Sequence, residues 1–280
     1  MKSNILLQGE IGSGKTYALQ TLLPEYWSEP SGSLFKGAGL HALCLSFDPG
    51  IDATIGRNLC GHPEAPSVAL HHHYIPPVAV SWQTMRHWAL LANTIDIEKL
   101  TQMSDPKRGE YGQFLDLFDA CNRFVCDGCN KDFGSISELG EDWAAALDGL
   151  TGLTTVARRN MCGGSPFLSL PKIGGIQGLV EGFLDQWWGN TACNAILIAH
   201  IERETSPMTG MQYLALSTIG QKLAPKILKK PDEIILARRE RGRYYWDTSD
   251  DDYALKQRRL PARPDLPPDF SQIFSPRSNI

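Results

Sequence analysis

Residues Gly9 to Thr16 read GEIGSGKT, and no other stretch restricts the chain as much. Gly9, Gly14, Lys15 and Thr16 occupy the fixed positions of G-x-x-x-x-G-K-[ST], and Gly12 adds backbone freedom between them. An apolar run, Asn4 to Gln8, reads as a short buried strand before the loop. A helical pattern follows from Lys15 to Trp27, with Tyr17, Ala18, Leu19, Leu22 and Leu23 apolar and closure near Pro24. In such a strand, loop and helix, the amides of Gly12, Ser13, Gly14 and Lys15 can converge only if the loop takes conformations that side chains resist. The helix N-terminus adds positive potential, Lys15 reaches the β- and γ-phosphates, and the Thr16 hydroxyl takes a site on Mg²⁺. The competing reading is a glycine-rich turn without a ligand. Average residue frequencies produce this pattern by accident in roughly one chain of this length in a hundred.

A nucleotide triphosphatase also needs a carboxylate at the end of a buried strand, where a charge is costly unless a cation accompanies it. Two positions offer one. Asp48 follows LCLSF and Asp148 follows WAAAL. One can hold magnesium while the other positions the attacking water, and the plainer reading of either is a turn or helix-cap aspartate. Both flanking runs read as buried strands, as does CNAILIAHI, Cys193 to Ile201, preceded by the helix-like IQGLVEGFLDQWW. Strands alternating with helices predict an α/β fold with a mostly parallel sheet.

The bulk numbers restrict function less. At 280 residues the chain can form one large or two modest domains, and 42% hydrophobic with 21% charged residues is a globular composition. A net charge of -4 leaves no global basicity, so contact with nucleic acid must come from a local patch. The opening residues lack a signal-peptide core and no run approaches a membrane span, which predicts a soluble, cytoplasmic protein. Seven scattered cysteines fit reduced thiols better than a disulfide framework.

Between about residues 51 and 142 the pattern supports one strand near ALHHHYIPP and two helices, Trp82 to Met103 and Gln113 to Phe124. CDGC, Cys126 to Cys129, has zinc-knuckle spacing without a second ligand pair nearby in sequence; Cys121 and His71 to His73 are the residues that folding could bring to it, and a turn with free thiols is the simpler reading. NKDF at Asn130 misses the guanine-reading pattern at Phe133, which favours adenine. Toward the C-terminus, strands are expected at Glu233 to Arg238, Tyr244 to Asp247 and near Tyr253 to Gln257, with a tight turn at Arg241 and Gly242. Prolines at 261, 264, 267, 268 and 276 predict an extended tail packed on a surface or on a neighbour. Lys and Arg exceed Asp and Glu between Lys222 and Arg263, with Tyr244, Tyr245 and Trp246 interleaved, which suits single-stranded nucleic acid or a solvated face over an aromatic core.

The order GEIGSGKT, LSFDPG, LDGLTGL, ILIAHIERE, STIGQKLAPKI resembles the RecA-like ATPases of bacteriophages, a phage AAA-type nucleotide-binding group that includes single-strand annealing ATPases. The likeness covers the first fifty residues and most of 143–260. It implies a RecA-like P-loop NTPase core over 1–240, elaborated at 51–142, with a small C-terminal β extension over 241–280. It also implies ATP and Mg²⁺ as cofactors, DNA, chiefly single-stranded, as partner, and a homo-oligomeric ring or filament. On this resemblance Asp148 associates with magnesium and Asp48 stands where the group carries a catalytic acid, usually glutamate. Gly149 follows Asp148, so the acid pair of AAA+ motors is missing. His200 would report the γ-phosphate to the segment beyond it, against the alternative of an ordinary hydrogen-bonded strand-end histidine. Arg203, Lys222 and Lys226 would touch DNA or a neighbouring subunit's nucleotide. Other functions consistent with the loop are a nucleotide-dependent assembly module with little hydrolysis, a small-molecule kinase with ARRN at 157–160 in its lid, and a packaging motor without room for a nuclease.

Overall fold

In the computed structural model, which describes residues 2–28, 32–205, 210, 212–250 and 253–274, alternate residues of the buried strands face two different layers. The strands are β1 (Asn4–Gly9), β4 (His41–Ser46), β5 (His71–Tyr74), β6 (Trp143–Asp148), β7 (Asn194–Thr205), β9 (Glu233–Glu240) and β10 (Arg243–Asp247), in spatial order β10-β9-β1-β7-β6-β4-β5. All neighbours are parallel except β9 with β10, and β8 (Gln212–Leu216) pairs antiparallel with the far end of β7. A strand covered on both faces has no polar side to offer water, which is why β1, β6 and β7 read as continuous apolar runs.

Leu6, Leu45, Leu147, Leu197 and Leu236 face a layer containing α5 (Gln113–Asn122), α6 (Leu150–Cys162) and α7 (Leu170–Gly189). Ile5, Cys44, Ala146, Ile198 and Ile235 face the other layer, built from α1 (Lys15–Ala18), a 3-10 turn at Leu19–Leu22, α2 (Ile51–Ile55) and the C-terminal residues Leu260, Leu266 and Phe270. The alanines of β6, all fully buried, stand in register with Ala42, Leu43 and Cys44 on one side and Asn194, Ala195 and Ile196 on the other. Among the described residues no helix is long and apolar enough to cross a membrane.

Several elements depart from the sequence pattern. The single helix expected from Lys15 to Trp27 ends at Ala18 and tightens into the 3-10 turn, and Leu23 is extended at φ -65 and ψ 159. Pro24 disfavours a helical residue before it. The chain then forms a hairpin of β2 (Glu25–Ser28) with β3 (Ser33–Lys36), and Tyr26 stacks on Phe35 with ring centroids 6.0 Å apart. The helix expected over Trp82 to Met103 divides into α3 (Trp82–Thr94) and α4 (Ile97–Gln102), because Asp96 leaves the helical conformation and accepts the Glu98 amide at 2.8 Å.

Arg241 (φ 50) and Gly242 (φ 81) make the expected turn between β9 and β10. The third C-terminal strand is reduced to one bridge, Ile234 with Lys256. α8 (Ala224–Ile227) lies before β9, and α9 (Ser271–Phe274) ends the described chain.

Candidate functional site

The C-terminal ends of β1, β4 and β6, with His200 in the middle of β7, open into a cleft of 1210 Å³. Crevices outside the carboxyl ends of such strands are the usual ligand sites of open α/β sheets. Gly12, Gly14, Lys15, Thr16, Asp48, Asp148 and His200 all line it.

The glycine loop leaves β1 at Gly9. Gly12 and Gly14 adopt φ of 75 and 83, and a Cβ on Gly14 would stand 2.9 Å from the Tyr244 ring, so conformation and space both demand glycine there. The Ser13 amide donates to the Glu10 carbonyl at 3.3 Å, and Ser13 Oγ donates to the same oxygen at 2.8 Å. Both bonds close the turn of the loop. Lys15 opens α1 and is 4% exposed. Its Nζ donates to the carbonyls of Gly9 (2.9 Å) and Glu10 (2.6 Å) and to Ser13 Oγ (3.2 Å).

Thr16 Oγ1 donates to Asp148 Oδ2 at 2.7 Å, joining the helix start to the end of β6 across the intervening β7. Burial holds the Asp148 carboxyl up at about 6, the nearby Asp48 charge adds to the rise, and the Thr16 bond and Lys15 oppose it. Burial likewise lowers the Lys15 ammonium to about 8 against the pull of Asp148 and Glu10. Asp48 lies beyond the end of β4 and is exposed. Its Oδ1 accepts the Gly50 amide at 2.7 Å, and its own amide donates to Ser46 Oγ at 3.0 Å.

His200 pairs in register with Gly9. Its Nδ1 is buried with no partner among the described residues, while the ring interacts with the Gly9 backbone. Burial lowers its pKa and Lys15 lowers it further, against Asp48, Glu202 and the Gly9 backbone.

The remaining sequence candidates lie elsewhere. Arg203 follows on the same strand and lines a smaller cavity with Glu10, Ser13, Arg238 and Arg239. Lys222 is exposed between β8 and α8, and Lys226 Nζ is paired with Glu181 Oε2 of α7 at 2.6 Å. The basic C-terminal stretch is partly neutralised: Arg238 pairs with Asp247 and Asp250, Arg258 with Asp232. Trp246 is fully buried and belongs to the core, whereas Tyr244 is 44% exposed beneath the Arg239 guanidinium.

Sequence reasoning missed Trp27 and Arg57 in the cleft, where the guanidinium lies 4.9 Å from the indole centroid. Nothing in the local sequence marks Trp27 as a cleft residue, because its place depends on the hairpin that replaces the expected helix. No protein-family model matches the chain, and no curated protein matches it.

Proposed function

We propose that the chain is a Mg²⁺-dependent ATPase with a RecA-like P-loop core that acts on DNA in recombination, single-strand annealing or replication. The observation that carries this reading is the 2.7 Å bond from Thr16 to the buried Asp148 carboxylate beside the buried Lys15 ammonium. A carboxylate and an ammonium removed from water without a mutual ion pair are expensive, and a polyphosphate with its divalent ion compensates both.

The donor set fits that ligand. Gly12, Gly14 and Lys15 would offer amides to the phosphates, Lys15 Nζ would exchange its loop carbonyls for phosphate oxygens, and Thr16 with Asp148 would hold the cation. Bound Mg²⁺ would neutralise charge on the phosphoryl group being transferred. Asp48 is the acid available to orient an attacking water. His200, with its unpaired buried nitrogen, is the polar group available to sense the γ-phosphate. β7 runs unbroken from Asn194 to Thr205, so a shift at His200 is carried directly to Arg203. Arg203, Lys222 and Tyr244 supply charge and a stacking ring for single-stranded DNA, with ATP as the nucleotide and a homo-oligomer as the working form.

Phosphate release measured with and without Mg²⁺ and single-stranded DNA tests the reading. Turnover should require Mg²⁺, rise with DNA at low salt, and vanish in Asp148→Asn; turnover indifferent to both additions rejects it. One contact favours a second reading, nucleotide-driven assembly with little hydrolysis: Asp48 Oδ1 is already committed to the Gly50 amide. Brisk turnover abolished by Asp48→Asn eliminates that alternative.

A further inference from the structure

Outside the residues that line the cleft, four side chains converge at the outer edge of the sheet. The ligand atoms of Cys60, His71, Cys126 and Cys129 all lie within 4.8 Å of one another. Cys129 Sγ stands 3.8 Å from His71 Nδ1. In a tetrahedral zinc site with Zn–S near 2.3 Å and Zn–N near 2.0 Å, two sulfurs stand about 3.8 Å apart and a sulfur and an imidazole nitrogen about 3.6 Å. Cys121, a completion open to the sequence, is outside the group, and of the three consecutive histidines only His71 takes part.

The backbone around these atoms is built for their approach. Residues 124–134 form a tight hairpin in which the Cys126 amide donates to the Lys131 carbonyl at 3.0 Å and the Asn130 amide to the Cys126 carbonyl at 2.8 Å. Asn130 turns the chain at φ 57. A Cβ on Gly128 would fall 1.9 Å from the Cys60 carbonyl oxygen, so the two cysteine-bearing loops touch backbone to backbone. The Cys60 amide is fixed by the Leu70 carbonyl at 2.9 Å, which closes the excursion between Cys60 and His71 at its base. The His71 ring is oriented against Phe133 at 4.4 Å.

We propose that Cys60, His71, Cys126 and Cys129 form a closed structural zinc site that clamps the 124–134 hairpin onto β5. Three thiolates and one imidazole with no position left open are a structural rather than a catalytic donor set, and soft sulfur excludes magnesium and calcium. The location explains the use. β5 ends the strand order, and its outward groups are satisfied by the hairpin: the Asp127 amide donates to the His72 carbonyl at 2.9 Å, and the Tyr74 amide donates to Asp127 Oδ2 at 2.7 Å. Zinc would lock this cover over an edge that is otherwise open to pairing with another chain. The site is independent of the nucleotide reading and stands if that reading fails.

Elemental analysis of the full chain, purified without chelator under reducing conditions, tests the proposal together with Co²⁺ substitution. About one zinc per chain is expected, lost in Cys60→Ser and in Cys129→Ser, retained in Cys121→Ser and in the four-thiolate variant His71→Cys. Should the serine variants fail to fold, the wild-type chain still decides: Co²⁺ must give the visible bands of a tetrahedral ion and thiolate-to-metal charge transfer. A metal-free chain that refuses Zn²⁺ and Co²⁺, a disulfide among these cysteines, or zinc that persists without Cys60 overturns the assignment.

Discussion

Burial brings Lys15 down to about 8 and lifts Asp148 to about 6, so each group's charged form is disfavoured in the unliganded fold. The folded Asp148 carboxyl binds its proton more tightly than an ordinary aspartate at 3.8. The stability this confers is complete below that value and is lost as pH rises through about 6. At neutral pH the ionised carboxylate therefore costs the unliganded chain about 3 kcal/mol. Asp148→Asn should raise the thermal midpoint at about pH 7.5, and the gain should fade toward about pH 4, where the wild-type carboxyl is protonated. A lower midpoint for the variant at both values contradicts the burial argument. Lys15 gives the opposite proton balance. At about pH 8.5 it is mainly neutral, so ATP without metal should bind with proton uptake, seen as a dependence of the calorimetric heat on buffer ionisation enthalpy and absent from Lys15→Met.

The segment after β10 holds the first helix in place from behind. Phe270 is fully buried, meets Trp246 edge-on at 4.9 Å, and donates its amide to Thr21 Oγ1 at 2.9 Å, directly under the 3-10 turn that continues α1. Phe270→Ala should cost about 3–5 kcal/mol in urea unfolding with an unchanged slope; a loss below about 1 kcal/mol means the tail does not brace the core. The proline spacing in this tail made extended packing legible, while its fully buried aromatic could not be told from an exposed one. β1, β6 and β7 were legible because strands covered on both faces must be apolar throughout, and Asp148 was legible as the residue that ends the β6 run. The β2-β3 hairpin was not, since all four residues of β3 are exposed and carry no burial pattern. The run from Tyr17 to Leu23 satisfies a helix and a 3-10 turn equally well. Cys60 was invisible as a ligand because its place beside the CDGC hairpin rests on the Leu59–Leu70 bridge and the Cys60 amide bond to the Leu70 carbonyl, contacts that leave no sequence pattern.

Across the whole molecule, the sheet carries two chemical groups at separate places: the cleft at the strand ends and the cysteine-histidine cluster on the outer edge. The Thr16 to Asp148 bond spans β1 and β6, so a ligand at the loop is coupled to strands on both sides of β7. If the working form is a ring or filament, a non-hydrolysable ATP analogue with Mg²⁺ should shift the mass seen by light scattering to a multiple of the chain, and an unchanged monomer mass counts against assembly. On the reading proposed above, the GEIGSGKT loop, backed by one ammonium group, holds a polyphosphate with its cation. Calorimetric titration of Mg-ATP into the wild-type chain and into Lys15→Ala, with thermal melting to establish that both are folded, tests it most directly. A saturable wild-type isotherm weakened at least about tenfold in the variant is the predicted result; equal affinities, or no binding by either folded chain, would contradict it.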